Sequence, residues 1–183
     1  MSNIIIPKSL NPSPDIKKGI DEFLADFDVY EIASGSKLVL NYDEKSDAYY
    51  LTCHLKGKQI VESCDLEATL DPDDDDDVLY KLNREIIEDQ LAYKEMENDA
   101  KNGRSFEDLV VEYDKSYRPD QPLKVYGGQH RIRAISISEK KLDIVNHGVR
   151  LYFNLSRDQK VEIATVNNTS IAVPNDLLDR MRE

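Results

Sequence analysis

The residues best suited to chemistry lie in one short run, Val125-Tyr126-Gly127-Gly128-Gln129-His130-Arg131-Ile132-Arg133-Ala134-Ile135. Apolar residues lead into a Gly-Gly step, and a helical pattern follows it. Glycine lets the backbone turn with positive φ and lets a ligand come close. The first N–H groups of the helix have no internal partner, and its dipole favours negative charge there. Gly127 and Gly128 would shape the turn. Gln129, His130 and Arg131 would grip a phosphate or similar anion, Arg131 by a two-pronged contact. Arg133 would add charge. His130 titrates near neutrality in an ordinary setting.

Charge supports this reading. Lys115, Arg118, Lys124, Arg131 and Arg133 fall in one stretch with only Asp120 against them, inside a chain of formal net charge −12. An ordinary turn beside a solvated basic face accounts for the same spacing. The run is neither a Walker A loop, since no Gly-Lys-Ser/Thr follows, nor a GxGxxG motif.

Gly127 to Arg131, with Ile132 to Ile135 after them, resemble the signature of the ParB/sulfiredoxin-like superfamily. The nearest variant is the DGQHR-type group, found in regulators of DNA phosphorothioation and related DNA-modification or defence proteins. The likeness runs from about Leu123 to Leu178, through strand, turn, helix, strand, helix and an Asn-containing loop. It implies a small α/β domain that binds a nucleoside triphosphate with Mg2+ at the turn, as the turn contacts CTP in ParB-type members and ATP in sulfiredoxins. By that likeness Gly128, Gln129, His130 and Arg131 contact phosphate, and Asn168 matches the Asn of the downstream ParB motif. Four positions depart from the pattern. Gln129 stands where sulfiredoxin has its catalytic Cys, which removes sulfinic-acid reductase chemistry. Asn167 replaces a magnesium-holding Glu, Ile171 replaces an Arg, and Gly127 stands where the DGQHR group has Asp.

The implied function is a nucleotide- or DNA-phosphate-binding domain of a DNA-processing, DNA-modification or phage-defence protein. One alternative is a magnesium-dependent nuclease or a nucleotide hydrolase or kinase. Glu112 and Asp114 are then the carboxylates of choice, because the chain passes the pocket soon after them. Another is a protein-interaction module that keeps the fold without ligand. Expected partners are a nucleotide or DNA, and a protein or a missing C-terminal domain.

The elements that position this run can be read from periodicity. Asp15 caps a helix whose apolar face is Ile16, Ile20, Phe23, Leu24 and Phe27. Val29–Ile32, Lys37–Tyr42, Ala48–Leu55 and Gln59–Glu62 read as strands of an antiparallel meander, with Lys56-Gly57-Lys58 as a turn. Asp73–Asp77 starts a long helix striped by Leu79, Leu82, Ile86, Tyr93, Met96 and Ala100 and ended by Gly103. The Asp run lacks EF-hand spacing and suits a solvated helix start. Ser105 caps a helix with Phe106, Leu109, Val110 and Tyr113 on its buried face. Leu123–Tyr126 is a strand, a helix runs from Gln129 to about Ser138, and Val149–Phe153 is a strand. Ser156 and Gln159 form a capping box for a helix to about Val166. Asn167–Ser170 is a loop, and a last helix spans Asp176–Glu183. That helix has no C-cap glycine, which gives the expectation of a longer protein.

The expected fold is α/β (α+β): a small mixed sheet with helices over residues 66–183, preceded by a helix-and-meander extension over residues 1–65. Forty per cent apolar residues suffice for a core, while 33% charged residues make a strongly solvated surface. An acidic chain repels nucleic acid on average, so any such contact needs a local basic patch. Cys53 and Cys64 make no disulfide framework. They read as small buried side chains on neighbouring strands, with His54 too few for a metal site. His147 reads as a surface residue in a loop. No apolar run approaches the roughly 20 residues of a membrane helix, and the start lacks a signal peptide. No membrane contact and a cytoplasmic location are the expectations.

Overall fold

The computed structural model describes residues 3–66, 91–107 and 109–168. The Asp73–Asp77 run, the stripe from Leu79 to Ile86, Asp108, Ile171 and the helix expected over Asp176–Glu183 lie outside them.

The fold is mixed α/β, built on a six-stranded sheet. Among the described residues, six of the eight strands form that sheet: β3 (Asn41–Asp43), β4 (Ala48–Lys56), β5 (Cys64–Asp65), β6 (Leu109–Tyr113), β7 (Leu123–Gly127) and β8 (Asn146–Phe153). The order is β3-β4-β8-β6-β7-β5. β4 runs antiparallel to β3 and β8, and β6 antiparallel to β7, while β6/β8 and β5/β7 are parallel. β1 (Ile4–Ile5) and β2 (Leu38–Val39) form a separate parallel pair. Because β4 pairs with β8, and β5 with β7, the sheet runs across residue 65.

The helices are α1 (Pro14–Asp26), α2 (Tyr30–Ala33), α3 (Gly57–Ser63), α4 (Leu91–Lys101), α5 (Gln129–Ser136) and α6 (Arg157–Asn168). Side chains alternate across a strand, and the two faces differ. Leu51, Cys53, Leu55, Leu109, Val111, Leu123, Val125 and Leu151 point into the main core with Ile20 and Phe23 of α1, Ile60 of α3 and Ile132 and Ile135 of α5. Each such side chain contributes roughly 1.5–3 kcal/mol by leaving water. On the other face Val110, Tyr126 and Tyr152 pack with Leu155 and with Ile163 and Ala164 of α6.

Several local expectations give way to tertiary partners. α1 is capped by Ser13, whose hydroxyl accepts from the Ile16 N–H, and Asp15 sits in its first turn. The strand expected at Val29–Ile32 is α2. Its Glu31 carboxylate receives the His54 backbone N–H at 3.0 Å and meets the His54 ring at 2.5 Å, which covers the part of the β4 edge that β3 leaves open. The strand expected at Gln59–Glu62 is α3, where Gln59 accepts from the Lys56 N–H and only Gly57 and Ile60 are buried. The helix expected after Ser105 is β6. All five β6 residues are buried, so both faces are covered and no period survives in the sequence. Ser105 instead donates its hydroxyl to the Asn146 carbonyl.

Cys53 and Cys64 are both buried, as expected. They lie on β4 and β5, which β8, β6 and β7 separate, so they are not on neighbouring strands. His147 is 3% exposed within β8, not a surface loop residue, because the strand begins at Asn146.

Candidate functional site

β7 crosses the sheet fully buried and ends at Gly127. Gly128 follows with φ 92° and ψ 16°, the left-handed region, and is the N-cap of α5. Its carbonyl accepts from the Ile132 N–H, the first bond of the helix. The N–H groups of Gln129, His130 and Arg131 therefore lie in the turn that has no intrahelical acceptor. The strand, left-handed glycine and helix stand as the residues called for.

The side chains of this turn spread apart. Gln129 is 5% exposed and faces inward. His130 is half-buried, its ring edge-on to Tyr93 of α4 at 6.1 Å. Arg131 is half-buried and Arg133 exposed. Two residues apart on a helix, these two arginines point about 200° from each other. Gln129, His130, Arg131 and Arg133 all take part in further interactions, so a ligand here would join existing contacts.

Gly127 has a different surrounding from Gly128. A Cβ placed on it would lie 3.2 Å from the Asn167 Cβ. Asn167 and Asn168 continue α6 rather than opening a loop. Asn167 is seated on the turn, against Gly127. Its Nδ2 donates to the Ile163 carbonyl at 2.7 Å.

The basic residues do not gather at the turn. Lys115 pairs with Asp26 at 2.9 Å, and Arg118 with Asp65 at 3.0 Å. Both follow β6, and the antiparallel register puts that end of the hairpin opposite Leu123, away from Gly127. Lys124 is 1% exposed, with its ammonium 4.1 Å from the centre of the Tyr117 ring.

A second group of functional side chains lies between the sheet and α6. Glu112, 1% exposed, sits opposite Lys124 in the register. Its Oε2 accepts from the Tyr126 hydroxyl at 2.7 Å and its Oε1 from the Leu155 N–H at 3.0 Å. The Lys160 ammonium is 3.7 Å from Oε2. Burial raises the Glu112 carboxyl above its usual range, against the pull of Lys160. Burial, then neighbouring Lys160, lowers Lys124. The signal was present in the sequence: one acid and one base interrupt two otherwise apolar strands, Leu109–Tyr113 and Leu123–Gly127.

Glu112 and Asp114 therefore do not serve the turn. Val110, not Glu112, is opposite Gly127, and Asp114 holds the Ser116 and Tyr117 N–H groups. Among the described residues no group of three or more His, Cys, Asp or Glu side chains is placed to hold a metal ion. Among the same residues no helix is long and apolar enough to cross a membrane.

No protein-family model, curated protein or solved structure matches the chain.

Proposed function

We propose that the β7–α5 turn binds a phosphate group of a nucleotide or of DNA, and that the protein is a phosphate-binding domain of a DNA-processing, DNA-modification or phage-defence system. The observation that carries this reading is Gly128, left-handed at the N-cap of an eight-residue helix directly after a buried strand. That arrangement turns successive N–H groups toward one point, where the helix dipole favours an anion. Arg131 in the same turn supplies a cation. Binding is favoured over turnover, because Glu112 and Asp114, the carboxylates an enzyme would use, are engaged elsewhere. A nuclease, helicase or DNA-binding partner or domain would then supply the chemistry.

The interaction-module reading draws on one observation. Asn167 accounts for the glycine at 127 without any ligand.

Thermal shift with a panel of nucleoside mono-, di- and triphosphates, with and without Mg2+, and with short duplex DNA separates the two. Stabilisation by one of them, lost in Arg131→Ala, is the expected result, since a ligand that binds only the folded state raises its stability. Affinity for DNA would fall steeply with salt. No shift with any nucleotide or DNA overturns the proposal and leaves the interaction module.

A further inference from the structure

β4 and β8 pair antiparallel, and Gly148 stands opposite His54. Gly148 adds no side chain there, and a pocket of about 120 Å³ lies beside the imidazole, lined by Thr52, His54, Glu107, Gly148, Val149 and Arg150. In the sheet order β6 lies between β8 and β7, so this is a separate site from the β7–α5 turn. Small-molecule pockets run from roughly 300 to 1,000 Å³. This one suits a single small group, not a whole nucleotide.

The His54 ring is set for chemistry at one nitrogen. Glu31 Oε2 accepts from the His54 backbone N–H at 3.0 Å, and Oε1 meets the ring Nδ1 at 2.5 Å. An ionised carboxylate can only accept, so in the neutral ring Nδ1 carries the proton and Nε2 keeps a lone pair. Among the described residues no hydrogen bond reaches Nε2. The side chain is 36% exposed, so a reagent can approach it. The Tyr30 ring of α2 stands edge-on to the imidazole at 6.4 Å.

The charged and titratable groups around the ring are Glu31, Glu107, Arg150 and His147. Arg150 stands opposite Thr52, diagonally across from His54 on the same face. Its guanidinium lies 4.8 Å from the centre of the Tyr50 ring and bonds to Tyr152. Five N–H donors exceed those contacts, so Arg150 can also hold phosphoryl oxygens. Glu107 packs on Gly148 and opposes a free anion. His147, buried in β8, is coupled electrostatically to His54. With one cation and one anion at its walls, the pocket holds free phosphate weakly. A covalent bond to nitrogen would keep the group in place.

We propose that His54 accepts a phosphoryl group on Nε2 from a small acyl phosphate. The Nε2 lone pair forms the N–P bond as the P–O bond to the acyl oxygen breaks, and the acyl group leaves as its carboxylate. No proton moves. Nδ1 keeps its proton, and the cationic ring that results faces Glu31. Arg150 stabilises the charge on the phosphoryl oxygens. Glu31 and Arg150 are positioning residues, and His54 is the nucleophile.

Incubation with acetyl phosphate tests this, read by peptide mass spectrometry under alkaline conditions and by phosphorus NMR. The expected result is one acid-labile phosphoryl group on His54, at Nε2, formed about tenfold or more faster than on the same residue in the urea-unfolded chain. Glu31→Gln and Arg150→Gln should each slow it by about tenfold. Urea midpoints separate that loss from unfolding. Arg150→Gln changes an exposed side chain and keeps the test readable if Glu31→Gln fails to fold. No label on His54, a label on Nδ1, or labelling no faster than in the unfolded chain overturns the proposal. Labelling of folded Arg150→Gln at the parent's rate, or equal labelling of His130, does the same.

Discussion

Asn167 of α6 fills the space that a side chain on Gly127 of β7 would need. A Cβ at 127 would stand 3.2 Å from the Asn167 Cβ and 3.3 Å from its Cγ and Oδ1. The last residue of the strand is small because a helix rests on it, whereas Gly128 is a glycine for its backbone angle. The DGQHR-type aspartate does not fit at 127 while Asn167 is in place.

Gly127→Ala should therefore lower stability by about 1 kcal/mol, and Gly127→Asp by about 2–3 kcal/mol, since overpacking displaces neighbours. Urea denaturation of both variants measures this. Asn167→Gly in the same chain should recover most of the alanine loss, because residues in contact couple. An alanine loss unchanged in the double variant would remove Asn167 as the cause.

Gly128→Ala meets a different obstacle. At φ 92° a Cβ strains the backbone, which costs about 1–2 kcal/mol. Asn tolerates this region better than Ala, so Gly128→Asn should lose less. Equal urea midpoints for the alanine variant and the parent would show that the turn adopts another conformation.

The turn and its helix were legible because their causes are local: an apolar run, a two-glycine break and a helical pattern lie within a dozen residues. The Ser156–Gln159 capping box was legible for the same reason, and Gln159 does accept from the Ser156 N–H at 2.7 Å. β6 was not, because Leu109, Val110 and Val111 are buried on both faces and carry no period. α2 is held by Glu31 on His54, 23 residues away, which no window of sequence contains. Charge counted along the chain misplaced Lys115 and Arg118, because β7 carries the chain across the sheet between them and the turn.

Cys53 and Cys64 should be inert in the native protein. Both are buried, and burial pushes both thiols well above their usual range, so the thiolate is scarce. Ellman's reagent should label neither without denaturant and both in strong denaturant. Fast native labelling of either would contradict the burial described. A bridge between them should not form, since three strands stand between β4 and β5.

Glu112 is the anion on which the buried cluster depends. Glu112→Ala leaves the Tyr126 hydroxyl and the Leu155 N–H without their acceptor and Lys160 without its ion-pair partner. A loss of about 3–5 kcal/mol is expected, the range for breaking a buried ion pair. Glu112→Gln keeps a carbonyl acceptor and should lose less. If both variants unfold in urea within about 1 kcal/mol of the parent, the buried lysines are not balanced by this carboxylate.

His147 makes stability depend on pH. The ring is 3% exposed and stacks on Phe106, with centroids 5.8 Å apart, and its Nδ1 accepts from the Phe106 N–H at 3.0 Å. A second proton would occupy the nitrogen toward which that N–H points. Burial, then the charge on His54, lowers its pKa from the ordinary 6.5 to about 4. The folded state therefore resists the proton that the unfolded chain accepts. The stability from His147 is complete above the unfolded value and is lost as pH falls from about 6.5 to about 4. The slope approaches 1.4 kcal/mol per pH unit, for a total of about 3 kcal/mol. His147→Gln can still accept from the Phe106 N–H but does not titrate. Urea midpoints at pH 7 and pH 5 should fall further for the parent than for the variant, because titrating carboxylates act on both alike. Equal falls would show that His147 is not the group responsible.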